Sequence, residues 1–124
     1  GESIAEAAVR ELREESGLTG HGLDRVGVLT FHFDDQPKPW EVHVFTAGSW
    51  EGEPVETDEM APVWVPEAQL PSMYDRMWQD DRYWYPILLK GGRFVGDFDF
   101  VQTHTMTRCD IQEVDAIPES FTAI

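Results

Sequence analysis

Cysteine is nearly absent from this chain: of 124 residues only Cys109 carries a thiol. That excludes an internal disulfide framework and any zinc site with more than one Cys ligand. A reducing, cytoplasmic setting is the expectation. Lysine is almost as scarce. Lys38 and Lys90 stand with seven arginines against 24 Asp and Glu, for a formal net charge of −15. A surface this acidic repels a DNA or RNA backbone, which is held by Lys and Arg displacing counterions, so a nucleic-acid polymer is not an expected partner. A small polyanion such as a nucleotide fits only if a divalent cation bridges it to the carboxylates. Long apolar runs are missing too. None approaches the ~20 residues of a membrane-spanning helix, and the opening GESIAEAAVREL lacks the basic end and apolar stretch of a secretory signal. No membrane partner is expected.

What is present suffices for a core. Hydrophobic residues make up 41% of the chain and aromatics 12%, and the length fits one domain. We place that domain at residues 1–118, with 119–124 as a tail. Ile4, Ala8 and Leu12 recur at helical spacing, so residues 2–15 read as a helix that stops at Gly17. Leu23 to Phe33 and Trp40 to Trp50 read as strands of an antiparallel hairpin across the turn 34–39. Residues 62–65 read as a short strand and 66–70 as a helical turn. Residues 80–90 read as a turn before Pro86 and a helix after it. Phe94, Gly96, Phe98 and Phe100 alternate with polar residues as in a strand, and Thr105 to Ile111 does so more weakly. His21 falls in an expected turn, whereas His32, His43 and His104 read as outward-facing or structural. The fold class is α/β (α+β). The chain opens directly into a helix whose apolar face needs a sheet, so N-terminal strands are expected to be missing from it.

The richest cluster of charge is Arg10-Glu11-Leu12-Arg13-Glu14-Glu15-Ser16-Gly17-Leu18. At ~100° per residue, Glu14 and Glu15 lie about 300° and about 400° round the helix from Glu11, so three carboxylates fall within roughly a third of its circumference. They repel one another, and they sit toward the helix C-terminus, where the macrodipole disfavours anions. A bound cation offsets both costs. Oxygen-only donors suit Mg²⁺, with Mn²⁺ as the alternative, rather than zinc. The competing reading is a solvated charged face paired with Arg10 and Arg13.

Residues 2–18 resemble the Nudix hydrolase signature: Glu2, seven further residues, then Arg10-Glu11-Leu12, Glu14-Glu15 and Gly17-Leu18. Its leading Gly would fall before Gly1. The resemblance continues through Leu23–Phe45, the segment Gly52–Met60, Met77–Pro86 and Phe94–Phe98. There the chain is similar to the branch of the superfamily, related to bacterial MutT, that hydrolyses oxidised purine nucleoside triphosphates such as 8-oxo-dGTP and 2-hydroxy-dATP to monophosphate and pyrophosphate. The resemblance implies a Nudix fold, a mixed sheet sandwiched between helices. It implies Glu11 and Glu15 as principal metal ligands, Glu14 as a further ligand or a neighbour of one, and Glu59 as an approaching ligand. Glu14, Glu15 and Arg10 become the catalytic set, Arg10 orienting a carboxylate by a charge-assisted hydrogen bond. It further implies that a base-reading Asn, a Gly carbonyl and a Lys lie upstream of Gly1.

Base recognition falls to the Trp-x-Asp-Asp element. Trp78 offers a flat π face for a purine. If Asp80 and Asp81 share one pocket, like-charge repulsion and apolar walls raise a pKa, and the neutral acid becomes a donor. The rival role for Asp80 is to cap the following helix. Phe31, Phe33 and Met60, with Trp40, match apolar pocket positions of that branch. The expected substrate is a small nucleoside triphosphate and the expected state a monomer. Two alternatives are a Nudix hydrolase of another nucleoside diphosphate derivative and a catalytically silent nucleotide-binding module.

Overall fold

The computed structural model describes residues 1–58, 60–118 and 120–121. The chain forms α1 (Ile4–Ser16), β1 (Thr19–Phe33), β2 (Trp40–Glu51), a 3-10 helix (Glu67–Arg76), α2 (Asp81–Leu89), β3 (Arg93–Val101) and β4 (Thr105–Val114). The strands hydrogen-bond in the order β2-β1-β3-β4. β1 and β2 are joined by a short turn, which permits only antiparallel pairing. β1 and β3 run parallel, in register from Gly27↔Phe94 to Phe33↔Phe100, and β3 pairs antiparallel with β4. The expected mixed sheet with helices is therefore present. By contact the chain divides into two compact units: residues 1–25 with 45–64, and residues 26–44 with 65–121.

In the first unit α1 is fixed at both ends. Ser3 and Glu6 form a reciprocal capping box, and Gly17 closes the helix at φ 82°, donating its N–H to the Arg13 carbonyl. A side chain at that φ would be strained, and a Cβ there would also lie 2.6 Å from Val55 Cγ2; glycine meets both demands. Ser16 is buried at the helix end, its hydroxyl donating to the Leu12 carbonyl at 2.6 Å. β1 begins at Thr19, four residues before the sequence expectation. His21 is therefore a strand residue rather than a turn residue, and it pairs with Glu51 at 3.1 Å.

In the second unit the core is Val26, Leu29, Trp84, Phe94, Phe98 and Phe100. It is built by strict alternation on β3, where Phe94, Gly96, Phe98 and Phe100 face inward. Gly27 allows the Phe94 ring to pack close against β1, since a Cβ there would collide with that ring. α2 covers this face, with the Trp84 and Phe94 rings 5.4 Å apart. It runs unbroken through Pro86. Pro86 is the sixth of its nine residues, so it withdraws one N–H, from the Arg82 carbonyl, yet the helix continues to Leu89. Residues 62–65 form no strand, and the helical turn expected at 66–70 continues to Arg76 through Pro71.

Candidate active site

Two sets of residues concern the chemistry, one in each unit. In the first unit, α1 carries Glu11, Glu14 and Glu15 on its last two turns. Arg10 organises them. Its Nε and Nη2 donate to both oxygens of Glu2 at 2.8 and 3.0 Å, and its Nη1 donates to Glu14 Oε2 at 3.1 Å. Glu11 lies farther from it, at 3.9 Å. The Glu2 carboxyl is held below its usual range chiefly by the hydrogen bond from Arg10, whose own pKa rises for the same reason. One guanidinium thus satisfies Glu2 and Glu14 and leaves Glu11, 62% exposed, with open lone pairs. Glu15 is half-buried. Its backbone carbonyl accepts from Thr57 Oγ1 at 2.8 Å, and Val55 N–H donates to the neighbouring Ser16 carbonyl at 2.8 Å. The segment after β2 is thereby pinned to the end of α1. Thr57 and Met60 close a turn on that segment, Thr57 N–H donating to the Met60 carbonyl at 2.9 Å. Met60 is exposed there. Glu59 lies outside the described residues.

The box offers hard, water-accessible oxygen donors on one helix end, a donor set that fits Mg²⁺. Its three carboxylates are not gathered into a ready cage. Among the described residues, the three acidic or imidazole groups whose ligand atoms lie within 4.8 Å of one another are His32, Asp97 and Asp99. That cluster already holds a cation. Arg108 bonds Asp99 at 2.9 and 3.1 Å and also contacts Asp97, while His32 Nε2 lies 3.0 Å from Asp97. The Arg108 hydrogen bond holds the Asp99 carboxyl below its usual range. The group ties β1, β3 and β4 together and is structural, the role expected for His32.

In the second unit a pocket of about 280 Å³ is lined by Leu29, Phe31, Phe33, Trp40, Val42, Val44, Trp78, Asp80, Asp81 and Trp84. The structure therefore brings six predicted residues together, Phe31, Phe33, Trp40, Trp78, Asp80 and Asp81, while Met60 is not among the lining residues. The volume lies just below the ~300–1,000 Å³ range of ligand pockets and suits one flat ring system. Its walls are aromatic. Trp78 lies edge-on to Phe33 and Phe100 with centroids 6.3 and 5.7 Å apart, and Trp40 is edge-on to Phe33 at 5.6 Å. Trp78 keeps 43% of its surface exposed, so part of the indole is free to take a ligand.

The polar end of the pocket is the acidic pair. Asp80 is 2% exposed. It stands at the N-cap position of α2, but its side chain makes no cap hydrogen bond. Its Oδ2 instead accepts from Trp84 Nε1 at 2.9 Å, and its Oδ1 is buried without a partner among the described residues. An unpaired buried carboxylate oxygen is costly unless something supplies a donor. Burial pushes the Asp80 carboxyl above its usual range, against the Trp84 hydrogen bond that lowers it. Asp81 is pushed up to about 7, first by burial and then by the negative charge of Asp80. Near neutral pH the pair thus holds a proton, offering a donor beside an acceptor.

Trp84, Leu29, Val42 and Val44 were not singled out in the sequence as site residues. Trp84 had a signal, since it follows Asp80 by four residues and so stands one helical turn above it. The aliphatic residues had none, because alternation on a strand marks a buried face without distinguishing core from pocket.

Residues 1–88 match the NUDIX domain family. The chain is 40% identical over 116 residues to a mouse (Mus musculus) protein named oxidized purine nucleoside triphosphate hydrolase, covering 94% of this chain and 73% of that one. It is 41% identical over 115 residues to a zebrafish (Danio rerio) protein of the same name, covering 93% and 72%. A mutator MutT protein from Bacillus halodurans superposes with a TM-score of 0.80 at 24% identity, over 90% of this chain and 74% of that one, a likeness of fold. Both curated relatives share the name hydrolase, and the carboxylates of the signature are intact on α1. This chain belongs to the Nudix family and is a hydrolase.

Proposed function

We propose that this Nudix hydrolase is a Mg²⁺-dependent pyrophosphohydrolase of oxidised purine nucleoside triphosphates. It would convert 8-oxo-dGTP and 2-hydroxy-dATP to the monophosphate and pyrophosphate and so clear damaged nucleotides from the pool. The observation that carries this reading is the pocket: aromatic and aliphatic walls closed at one end by Asp80 and Asp81, with Asp80 Oδ1 buried and without a partner among the described residues. An oxidised purine differs from its parent in which edge atoms donate and which accept. A neutral carboxylic acid beside a carboxylate offers both, and the open Asp80 Oδ1 waits for a donor such as a ring N–H. Apolar walls exclude water from these hydrogen bonds and raise their worth. The names of the mouse and zebrafish relatives point the same way.

Hydrolysis adds one water across a phosphoanhydride bond. Glu11 and Glu15 would hold the cation, with Glu14 and Glu59 beside them, while Arg10 fixes Glu14 by its 3.1 Å hydrogen bond. When bound, the cation would supply neutralisation of phosphate charge and a more acidic water. A box carboxylate, Glu15 or Glu14, then takes the proton of the attacking water. The substrate is a small molecule, and at −15 the protein alone would repel it without the cation.

The test is product analysis by chromatography with 8-oxo-dGTP, 2-hydroxy-dATP, dGTP and ADP-ribose, each with Mg²⁺. Monophosphate and pyrophosphate from the oxidised nucleotides, formed faster than products from the other two, is the expected result. Faster turnover of ADP-ribose would overturn the substrate class. Nucleotide binding without turnover of any of the four would overturn the catalytic reading.

A further inference from the structure

The β3–β4 connection has an unusual backbone. Gln102 and Thr103 both adopt positive φ, 52° and 69°, and His104 N–H donates back to the Gln102 carbonyl at 2.8 Å. A hydrogen bond spanning two residues about a centre at φ near +70° is a γ-turn of the rare, strained kind. Thr103 is β-branched, so it is a poor occupant of that region. Backbone strain of this sort persists only where the surroundings over-determine it.

Two contacts do so, and both lead to the segment that carries the pocket's indole. The imidazole of His104 lies against Trp78 with ring centroids 4.8 Å apart at 51°. Just beyond the turn, the backbone N–H of Met106 donates to Gln79 Oε1 at 2.7 Å. Adjacent residues Trp78 and Gln79 thus each hold the turn by a different bond. His104 is not among the residues lining the pocket. Its contact with Trp78 adds to those of Phe33 and Phe100, which the same indole meets edge-on. Those two phenylalanines belong to the sheet. Among the described residues, without the turn the ring contacts of Trp78 would come from the sheet alone.

We infer that the strained Gln102–His104 turn is a brace for the base-binding wall, and that His104 is a positioning residue that sets the angle of Trp78 for a purine ring. The inference rests on the reading of the pocket as a purine site. It makes the β3–β4 turn a determinant of substrate affinity although it contacts no substrate. The side chains of His104 and Gln79 do different jobs in it: the first fixes the indole, the second fixes the turn.

The experiment compares wild type, His104→Ala, His104→Phe, Trp78→Ala and the His104→Ala/Trp78→Ala double variant. The first readout needs no nucleotide: the indole N–H resonance of Trp78 in a ¹⁵N spectrum, identified by its loss in Trp78→Ala. His104→Ala is expected to shift and broaden it, and His104→Phe to restore a sharp line. The second readout is steady-state kinetics with 8-oxo-dGTP. His104→Ala should raise KM by about three- to tenfold, a part of what base–aromatic stacking supplies, with kcat nearly unchanged. His104→Phe should recover most of it, and in the Trp78→Ala background His104→Ala should add nothing. An unmoved indole resonance would overturn the brace. A moved resonance with unchanged KM would overturn its role in recognition, and an equal rise in KM in the Trp78→Ala background would mean that His104 acts on substrate directly. A wild-type protein that leaves 8-oxo-dGTP intact would fell the purine reading itself and this role with it, while the resonance would still report whether the turn braces the indole.

Discussion

Trp84→Phe isolates the hydrogen bond that holds the acidic pair. The substitution keeps an aromatic ring against Tyr85 and Phe94, at 4.2 and 5.4 Å in the native protein. It removes the Nε1–H that donates to buried Asp80 Oδ2 at 2.9 Å. Two losses follow. The smaller ring gives up buried area worth about 1–2 kcal/mol at ~0.8 kcal/mol per methylene, whatever the pH. Losing a hydrogen bond to a charged buried group costs a further ~1.5–3 kcal/mol, and this part depends on pH. The donor favours ionised Asp80, so without it the Asp80 pKa climbs further above its usual range. The native variant then binds more protons than native wild type, and its stability falls more steeply as pH rises. Urea unfolding followed by far-ultraviolet circular dichroism at pH 5 and pH 8 reads both parts. The expected destabilisation is larger at pH 8 than at pH 5. Equal destabilisation at the two pH values would refute the claim that Trp84 stabilises a carboxylate rather than merely filling space.

Other outcomes follow from the same geometry. Asp81 has its pKa raised to about 7 from 3.8, so the native state holds a proton that the unfolded chain has released. The stability it contributes is full below about pH 4 and is lost as pH rises through about 7; Asp81→Asn should flatten that decline in denaturant titrations. Glu15→Gln should lower turnover by about 10²–10⁴-fold while calorimetry still detects nucleotide binding; undiminished turnover would remove Glu15 from the chemistry. Arg10→Ala should cut Mn²⁺ affinity or turnover by about 10–100-fold, as loss of a group orienting a metal ligand does, with little change in Tm because its ion pairs are exposed. Gly27→Ala, which drives a methyl into the Phe94 ring, should cost about 1–3 kcal/mol by overpacking, read as a drop in Tm of several degrees.

Much of the architecture was legible because its causes are local. The 3.6-residue recurrence of Ile4, Ala8 and Leu12 with Gly17 behind it marks α1, and the alternating phenylalanines of β3 mark a buried face. The misread segments had causes that lie elsewhere in the chain. Gly20, His21 and Gly22 have poor strand propensity, yet they belong to β1, where the backbone of Gly48 on β2 lies against Gly22. The helical turn expected at 66–70 ends short of Pro71, yet a 3-10 helix accommodates that proline and runs to Arg76. The Trp-Gln-Asp-Asp element announced a recognition site through its composition. Its chemistry showed only in part: the four-residue spacing puts Trp84 within reach of Asp80, but that Trp84 takes one carboxylate oxygen while the other is buried without a partner among the described residues shows only in the folded packing. Likewise, the engagement of Asp97 and Asp99 by Arg108 depends on the β3–β4 register, which pairs Asp99 with Arg108 directly.

The substrate reading meets its most direct test in a crystal structure of the protein with 8-oxo-dGMP and Mg²⁺. The purine ring is expected against Trp78 between the pocket walls, its edge hydrogen-bonded to Asp80 Oδ1 and to Asp81. A base bound elsewhere, with both carboxyls still facing an empty pocket, would contradict it.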